Sequence, residues 1–201
     1  MDFSDFARYP TGNLCNAHPQ VRALSSAIRP LIANRRIAGA ARTARITPGQ
    51  NAAVHRAIHK AAPGEILVVD GGASGRFGPF GDLLAEFRKM RKLAGAVFDC
   101  TIRDSADIAA MGFQVFAAGR HPQATAKTEP GETDVILDLA GVRVAPGDIL
   151  VGDDDGVVVI PRSLAGEVMD RVAAVARREE TIRNRILAGE STCEIFDIPS
   201  T

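Results

Sequence analysis

The central part of the chain, residues 66–117, has the sequence ILVVDGGASGRFGPFGDLLAEFRKMRKLAGAVFDCTIRDSADIAAMGFQVFA. It contains three short apolar runs with the composition of buried strands, at 66–69, 96–98 and 113–116. Segments with helical spacing separate these runs. The order strand–helix–strand–helix–strand predicts two right-handed βαβ units and therefore a parallel sheet.

The first helix of this region is predicted over residues 80–94. Its apolar side chains form one stripe and its charged side chains occupy the opposite face. The stripe consists of Phe80, Leu83, Leu84, Phe87 and Ala94. Gly95 fits the position just after the helix end. The second helix is predicted to begin after Ser105, a favourable N-cap residue, and to end at Gly112.

The regions on either side have different patterns. Upstream, one strand is predicted over 37–46, and a helix begins near Gln50 and stops at Pro63-Gly64. Downstream, residues 134–160 contain short apolar runs and turns but no helical pattern.

The last element is a long helix, predicted at about 163–188 and ended by Gly189. No linker or low-complexity run interrupts the chain. We therefore expect one α/β domain over residues 1–201.

The composition is that of an ordinary globular protein and argues against several functions. The 201 residues include 24 Lys+Arg and 24 Asp+Glu, so the formal net charge is zero. This balance argues against broad electrostatic attraction to nucleic acid or to an anionic membrane. Aromatic residues make up only 5%, which disfavours a stacking platform for single strands. No apolar run approaches the ~20 residues of a membrane span.

The cysteines and the first residues indicate a compartment. The three cysteines (Cys15, Cys100 and Cys193) are odd in number and widely spaced, which favours a reducing compartment over a disulfide framework. The first residues lack the basic start and apolar run of a signal peptide. We therefore expect a cytoplasmic protein whose partners are neither nucleic acid nor membrane.

A glycine-rich loop, residues 70–75, follows the first strand of the central region. It lacks the G-x-G-x-x-G and GK[ST] patterns of nucleotide-binding loops. Two interpretations remain open: a flexible surface connection, or a cradle for a small ligand. The helix start supports the cradle, because the first-turn N–H groups of Asp82, Leu83 and Leu84 lack intrahelical partners and attract anions. Asp82 alone can equally be a helix-favouring acidic residue.

A second candidate pair, Arg103-Asp104, follows the next strand. Ligands of open parallel sheets bind outside the carboxyl ends of the strands. We therefore expect Arg103, Asp104 and Asp82 to converge on one edge of the sheet.

Glu179 falls on the apolar stripe of the last helix. A carboxylate buried there without a partner costs several kcal/mol. Either Glu179 reaches a partner, such as a metal-bound water, or the helix end projects into solvent, and the sequence leaves both open.

Three further features are weaker. His55 and His59 have the i, i+4 spacing of a helical metal pair, but no third ligand is apparent, so a solvated helix face is the favoured interpretation. The run Asp153-Asp154-Asp155-Gly156 is interpreted as a turn. Nothing near Cys100 in the sequence marks it as an activated nucleophile.

The sequence around the candidate residues resembles the class II pyruvate aldolases. These are the 4-hydroxy-4-methyl-2-oxoglutarate / 4-carboxy-4-hydroxy-2-oxoadipate aldolases, which share a fold with the regulator of ribonuclease E activity A (RraA). The matching runs are Gly81-Asp82-Leu83-Leu84-Ala85, Ala94 to Asp104, Pro146-Gly147-Asp148, Gly152 to Pro161, and Arg178-Glu179-Glu180. The resemblance implies an RraA-like layered α/β/β domain, with parallel βαβ units, a β-rich segment and a long C-terminal helix.

The resemblance also implies roles for the polar residues. Arg103 matches the arginine that binds the carboxylate and keto oxygen of a pyruvyl group. Asp104 matches the ligand of a divalent ion, Mg²⁺ or Mn²⁺. Asp82 matches a carboxylate that holds metal-bound water.

The remaining matches concern the helix start and the last helix. Gly81 and the backbone amides of Leu83 and Leu84 match the segment that grips the pyruvyl carboxylate. Glu179 matches a glutamate from a neighbouring subunit, with Glu180 as a close alternative. The family forms trimers, often paired into hexamers, so the resemblance implies a homo-oligomer with sites between subunits.

The activity implied by the resemblance is retro-aldol cleavage of a 4-hydroxy-2-oxo acid to pyruvate, with oxaloacetate decarboxylation as a related reaction. A divalent ion, an arginine and a helix N-terminus all stabilise the negative oxygen of an enolate. Two alternatives remain open: a non-catalytic RraA-like regulator of a ribonuclease, and another metal-assisted enolate reaction on a different 2-oxo acid. Asp82 favours the enzyme, because such regulators tend to lack this acidic residue.

Two residues depart from the family's pattern. Cys100 stands where the family usually has glycine, and we expect it to narrow the pocket or change the substrate. Asn16 stands where an aspartate is common. The sequence therefore predicts the pyruvyl end of the substrate but not the rest of it.

Overall fold

The structure is a computed structural model, and it describes residues 2–199. The α-helices are α1 (Thr11–Ala17), α2 (Ala52–Lys60), α3 (Asp82–Arg91), α4 (Ser105–Ala110), α5 (Ala165–Leu187) and α6 (Thr192–Ile195). The strands are β1 (Arg22–Ala23), β2 (Arg29–Pro30), β3 (Ile37–Arg45), β4 (Ile66–Asp70), β5 (Gly95–Ile102), β6 (Val115–Arg120), β7 (Glu132–Thr133), β8 (Leu137–Leu139), β9 (Val142–Val144), β10 (Ile149–Asp153) and β11 (Gly156–Ile160). Two 3₁₀ helices span Phe3–Arg8 and Arg162–Leu164.

One large sheet organises the chain, with the strand order β1-β11-β10-β3-β4-β5-β6-β2. Its centre, from β3 through β4 and β5 to β6, is parallel, as the βαβ pattern predicts. The flanking pairs are antiparallel, and β8 and β9 form a separate hairpin. The carboxyl ends of β4 and β5 therefore lie side by side at one edge of the sheet.

The packing on the two faces of the sheet is layered. Helices α2, α3 and α4 cover one face, and apolar side chains such as Ile58 and Phe80 are fully buried there. On the other face, the β8–β9 hairpin packs against the inner side of β4, β5 and β10 through residues such as Leu139 and Leu150. Each such side chain stabilises the fold by about 1.5–3 kcal/mol when it is completely removed from water.

Helix α5 packs outside this core. Val168 and Val172 are fully buried with Leu14 of α1 and with β10 and β11, whereas Ile186 near the helix end is exposed. The helix was predicted at about 163–188, and its first residues, Arg162–Leu164, form a 3₁₀ turn.

Two predicted helix boundaries are wrong. Helix α3 ends in a left-handed residue, Lys92 (φ 53°, ψ 41°), and Gly95 is instead the first residue of β5. A Cβ on Gly95 would lie 2.6 Å from Ile37 Cδ1, so close strand packing explains this glycine. The N-cap of α4 is Asp104 rather than Ser105, and Asp104 is also left-handed (φ 52°, ψ 36°).

The chain before residue 37 is more ordered than its irregular sequence indicates. It contains a 3₁₀ helix, α1 and two short strands. Helix α1 is held by a long-range contact, because the carboxylate of Asp153 accepts hydrogen bonds from the Thr11 backbone N–H (2.8 Å) and hydroxyl (2.7 Å). As predicted, Asp154 and Asp155 form a turn, between β10 and β11. Within residues 2–199, no helix combines the length and the apolar character that crossing a membrane requires.

Candidate active site

The carboxyl ends of β4 and β5 carry most of the residues that the sequence singles out. Arg103 and Asp104 directly follow β5, and the loop after β4 leads to Gly81 and the start of α3. A backbone hydrogen bond from Arg103 N–H to Phe80 C=O (3.0 Å) joins the two segments. The predicted convergence on one edge of the sheet is therefore present.

The side chain of Asp104 turns back towards the helix start. Its Oδ2 lies 3.1 Å from Arg103 Nε and accepts a long hydrogen bond (3.4 Å) from the backbone N–H of Asp82. The side chains of Arg103 and Asp104 are each 33% exposed, so both stay accessible to a ligand.

Two glycines make this arrangement sterically possible. A Cβ on Gly81 would lie 2.3 Å from Asp104 Oδ2 and 2.9 Å from Arg103 Nε. A Cβ on Gly78 would lie 2.6 Å from Arg103 Cβ. Their absent side chains allow the loop to pass directly against the Arg103–Asp104 pair.

The first turn of α3 presents backbone N–H groups at the same place. The Asp82 carboxylate accepts a hydrogen bond from the Leu83 N–H (2.8 Å), so the acidic side chain folds over the helix start. The Leu83 side chain is 75% exposed and that of Leu84 is buried. The N-terminus of the helix also carries the positive end of the helix dipole, which favours an anion there.

A cleft of about 270 Å³ opens beside these groups. This volume lies just below the roughly 300–1,000 Å³ typical of small-molecule pockets. The residues that line it are Asn51, His55, Gly78, Pro79, Gly81, Leu83, Leu84, Arg103, Ala124, Thr125 and Lys127. Four residues predicted to bind substrate, Gly81, Leu83, Leu84 and Arg103, are thus brought together, while Asp82 and Asp104 adjoin the cleft through Leu83 and Arg103.

The far side of the cleft is formed by residues 121–128, which we call the strap. Backbone hydrogen bonds fix the strap to three different segments of the chain. They are His121 N–H to Ile102 C=O (2.8 Å), Gly78 N–H to Gln123 C=O (2.8 Å), Ala126 N–H to Gly49 C=O (2.8 Å) and Asn51 N–H to Ala126 C=O (3.0 Å).

Sequence reasoning missed three polar residues of this cleft. Asn51 is 6% exposed, and its Nδ2 donates to Pro79 C=O (3.0 Å), while its Oδ1 has no hydrogen-bond partner among residues 2–199. Burial and the nearby Lys127 ammonium lower the pKa of His55. His55 was noticed for its spacing to His59, but His59 is exposed and only His55 lines the cleft. Lys127 gave no signal in the sequence.

Glu179 lies elsewhere in the chain. Its Oε2 accepts a hydrogen bond from Asn13 Nδ2 (2.9 Å), across the contact between α5 and α1. Asn13 is 8% exposed, so Glu179 has a well-packed polar partner within its own chain. Glu180, the alternative, is exposed and lies 3.7 Å from Arg183. Neither glutamate lines the cleft.

Cys100 does not line the cleft either, in contrast to the expectation that it narrows the pocket. Its side chain is 2% exposed and faces Gly71, where a Cβ would lie 2.5 Å from Cys100 Sγ. Burial raises the pKa of the Cys100 thiol well above its ordinary value. The neighbouring Asp99 accepts hydrogen bonds from Gly71 N–H (2.6 Å) and Ala73 N–H (3.1 Å), which fixes the start of the glycine-rich loop.

The carboxylates beside the cleft fit a divalent ion that keeps most of its water. Residues 2–199 contain no group of three or more His, Cys, Asp or Glu side chains placed to hold a metal ion. Mg²⁺ does not require such a cage, because it binds through one or two carboxylates plus waters and substrate oxygens. Asp104 and Asp82 could supply such carboxylates, and the space that a Gly81 Cβ would fill lies directly beside Asp104 Oδ2.

The fold and the cleft together define a layered α/β protein with a small cleft at the carboxyl edge of its parallel strands. The chain belongs to the RraA-like family, whose sequence model, described as Aldolase/RraA, matches residues 11–159. Helix α5 and Glu179 lie beyond that match.

Individual relatives carry two kinds of name. A protein of Halalkalibacterium halodurans named "Putative 4-hydroxy-4-methyl-2-oxoglutarate aldolase" is 33% identical over 205 residues, covering 100% of this chain and 98% of its own. The RNA-processing inhibitor RraA from Thermus thermophilus is 32% identical, with a TM-score of 0.70, over 76% of this chain and 92% of its own. RraAS2 of Streptomyces coelicolor, described as an unusual member of the RNase ES inhibitor RraA family, is 29% identical with a TM-score of 0.76, over 88% and 92%. The predicted RraA-like fold is confirmed.

Proposed function

We propose that the protein is a divalent-metal-dependent carbon–carbon lyase that cleaves a 4-hydroxy-2-oxo acid to pyruvate, with oxaloacetate decarboxylation as a related reaction. The observation that carries the proposal is the cleft where Arg103 and the N-terminus of α3 meet, with the carboxylates of Asp104 and Asp82 at its edge. The aldolase name of the Halalkalibacterium halodurans relative supports it.

In the proposed reaction the pyruvyl end of the substrate lies against α3. The N–H groups at Leu83 and Leu84 and the helix dipole hold its carboxylate, which takes the place of the Asp82 carboxylate at the Leu83 N–H. Arg103 bridges that carboxylate and the C2 keto oxygen, since a guanidinium can donate to two oxygens in one plane. These contacts place the C3–C4 bond over the cleft.

Cleavage breaks the C3–C4 bond. Its electron pair moves into the C2–C3 bond, and negative charge develops on the C2 oxygen, giving the enolate of pyruvate. The 4-hydroxyl loses its proton as C4 becomes the carbonyl carbon of the second product, and C3 of the enolate gains a proton. Arg103 stabilises the negative oxygen, an interaction that strengthens in the transition state.

We propose that Mg²⁺ or Mn²⁺ binds at Asp104, with Asp82 holding water beside it. Such an ion, held at Asp104, would supply Lewis-acid stabilisation of developing negative charge. The Arg103–Asp104 contact of 3.1 Å keeps the carboxylate beside the guanidinium, so both groups face the same end of the substrate.

We further propose a homotrimer, or a dimer of trimers, with sites between subunits. Glu179 then serves as a catalytic group for the site of a neighbouring subunit. Within one chain the carboxylate is bound to Asn13, which fixes its position on the surface of α5.

Pyruvate release tests the proposal. Purified protein is incubated with several 4-hydroxy-2-oxo acids and with oxaloacetate, with Mg²⁺ or with excess EDTA. We expect pyruvate with Mg²⁺, little with EDTA, and none from Asp104→Ala at unchanged melting temperature. Full turnover in EDTA after verified metal removal contradicts the metal, and no pyruvate from any acid contradicts the lyase.

A second candidate is a protein that binds and inhibits a ribonuclease. The names of the Thermus thermophilus and Streptomyces coelicolor relatives favour it. It requires no cleft chemistry, so Asp104→Ala should leave inhibition of an RNase E-type enzyme unchanged. Inhibition that survives this substitution, without pyruvate release by the unmodified protein, favours this candidate.

A further inference from the structure

Residues 71–81, which we call the β4–α3 loop, connect β4 to α3 without helix or strand. The loop passes directly against the aliphatic part of the Arg103 side chain. A Cβ on Gly78 would lie 2.6 Å from Arg103 Cβ and 3.0 Å from Arg103 Cγ, so this approach requires a glycine. Gly78 N–H also donates to Gln123 C=O of the strap (2.8 Å). The position of Gly78 therefore limits the directions in which the Arg103 guanidinium can point.

The β4–α3 loop depends on other segments for its conformation. Gly72 and Ala73 are both left-handed (φ 64° and φ 52°), and this conformation is unfavourable for an alanine. The backbone hydrogen bond from Ser74 N–H to Gly71 C=O, within the loop, is long (3.4 Å). Bonds from outside the loop must therefore stabilise it.

Asp99 of β5 binds the start of the loop. The pairing of β5 with β4 ends at Phe98 and Val69, so Asp99 lies beside the loop rather than beside a strand. Its Oδ1 accepts a hydrogen bond from Gly71 N–H (2.6 Å) and its Oδ2 accepts one from Ala73 N–H (3.1 Å). Burial raises the pKa of the Asp99 carboxyl, and the two N–H groups lower it. The loop thus offsets part of the cost of burying this carboxylate.

Thr101, two residues further along β5, binds the second half of the loop. Its backbone N–H donates to Ser74 C=O (3.1 Å), and its hydroxyl donates to Phe77 C=O (2.7 Å). Phe77 directly precedes Gly78 in the chain. The Thr101 hydroxyl therefore fixes the backbone one residue before the loop contacts Arg103.

We propose that Asp99 and Thr101 are positioning residues of the cleft, which hold the β4–α3 loop so that Gly78 keeps the Arg103 guanidinium directed at the substrate. This inference rests on the proposed function, in which Arg103 stabilises the negative C2 oxygen. Neither Asp99 nor Thr101 lines the cleft. Both act on the reaction only through the loop and Arg103.

Asp99→Asn tests the proposal with little change in shape. An amide has one acceptor oxygen and an NH₂ donor, so one of the N–H groups of Gly71 and Ala73 then faces a second donor. We expect kcat for pyruvate release to fall by about 10-fold to about 100-fold, because a displacement of about 1 Å in an active site can cost about 100-fold. KM should change by less than about threefold, since the contact that weakens is strongest in the transition state.

Thr101→Val is a second variant that keeps the shape of the side chain. It removes the hydroxyl bond to Phe77 and should lower kcat in the same direction by a smaller factor. This variant decides the proposal if Asp99→Asn does not fold. Unchanged kcat in a folded Thr101→Val protein then contradicts the role of the loop.

Asp148→Asn is the matched control. Asp148 also binds two backbone N–H groups with its two oxygens, those of Ala145 (2.8 Å) and Arg162 (3.1 Å), but it does not line the cleft. We expect both aspartate substitutions to lower the melting temperature and only Asp99→Asn to lower kcat. Equal losses of kcat in the two variants, or no loss in Asp99→Asn, overturn the proposal.

A double variant tests whether the effect passes through Arg103. In an Arg103→Ala background, Asp99→Asn should lower the remaining kcat by less than about twofold, because the guanidinium on which Asp99 acts is absent. A purely structural role of Asp99 reduces kcat by the same factor in both backgrounds. That result overturns the positioning role.

An NMR measurement distinguishes failure of this proposal from failure of the lyase. The Nε–H signal of Arg103, assigned by its loss in Arg103→Ala, is recorded without substrate. We expect Asp99→Asn to shift this signal and Asp148→Asn to leave it unchanged. If the protein releases no pyruvate but the shift is present, the lyase is wrong and the positioning of Arg103 by Asp99 stands. If Asp99→Asn leaves the signal unchanged, the positioning proposal is wrong.

Discussion

Gly81→Ala should disable the proposed site without unfolding the protein. The backbone of Gly81 is extended (φ −141°, ψ −169°), so alanine is tolerated there conformationally. Its Cβ, however, would lie 2.3 Å from Asp104 Oδ2, about 1.1 Å short of the 3.4 Å at which ordinary contact begins. Either the carboxylate or the helix start must move by roughly that distance. A misplacement of about 1 Å in an active site can cost about 100-fold in rate, which corresponds to about 2.7 kcal/mol.

The assay is pyruvate release with Mg²⁺, coupled to lactate dehydrogenase. Gly75→Ala is the matched control, because Gly75 lies in the same loop and no atom is within 4 Å of its added Cβ. We expect kcat/KM to fall by about 100-fold in Gly81→Ala and to change by less than about twofold in Gly75→Ala. Thermal denaturation of both variants checks that the fold is kept. Near-normal turnover by a folded Gly81→Ala protein would show that the Gly81–Asp104 contact is not part of the reacting site.

Three other predictions use the same assays. Arg103→Lys should lose about 100-fold in kcat, nearly as much as Arg103→Ala, because an ammonium cannot bridge two oxygens in one plane; a lysine variant with near-normal kcat refutes this role. Gly71→Ala should lower the free energy of unfolding by about 1–3 kcal/mol, because the added methyl group overpacks against Cys100. Cys100→Gly in the same chain should relieve the added strain. If denaturant melts show that the effects of the two substitutions on the free energy of unfolding are additive, the contact is refuted. Glu179→Gln should keep the hydrogen bond from Asn13 and the melting temperature but reduce turnover. Mixing this variant with Asp104→Ala chains should restore part of the activity once mass measurements show subunit exchange. Exchange without recovery of activity refutes the shared site.

The central βαβ region was predictable because its signals are local. The apolar runs that become β4, β5 and β6 are short, consecutive and bounded by turn residues, and parallel connections have one hand. Once those strands lie side by side, the rule that ligands bind at their carboxyl ends places Arg103-Asp104 next to the start of α3. No long-range information is needed for that step.

The other half of the cleft was not predictable because it depends on contacts between distant segments. Asn51 precedes α2, whereas Lys127 belongs to a strap without secondary structure of its own over most of its length. The backbone hydrogen bonds of Ala126 with Gly49 and Asn51 bring them together. The prediction that Cys100 narrows the pocket fails for a related reason. Side chains alternate along a strand, and position 100 points into the core beneath the helices rather than into the cleft.

The geometry at Asp104 distinguishes this edge of the sheet from an ordinary turn. A non-glycine residue in the left-handed region is uncommon, and aspartate is one of the few that occupies it at modest cost. That conformation, at φ 52°, accompanies the contact of the Asp104 carboxylate with the helix start, and the contact is possible only because Gly81 has no side chain. The left-handed backbone of Asp104 and the missing side chain of Gly81 thus both contribute to the same contact. The two residues lie in segments separated by a whole helix and a strand. Together they bring a carboxylate and a guanidinium against the N-terminus of α3, and the proposed binding of an anionic substrate rests on this arrangement.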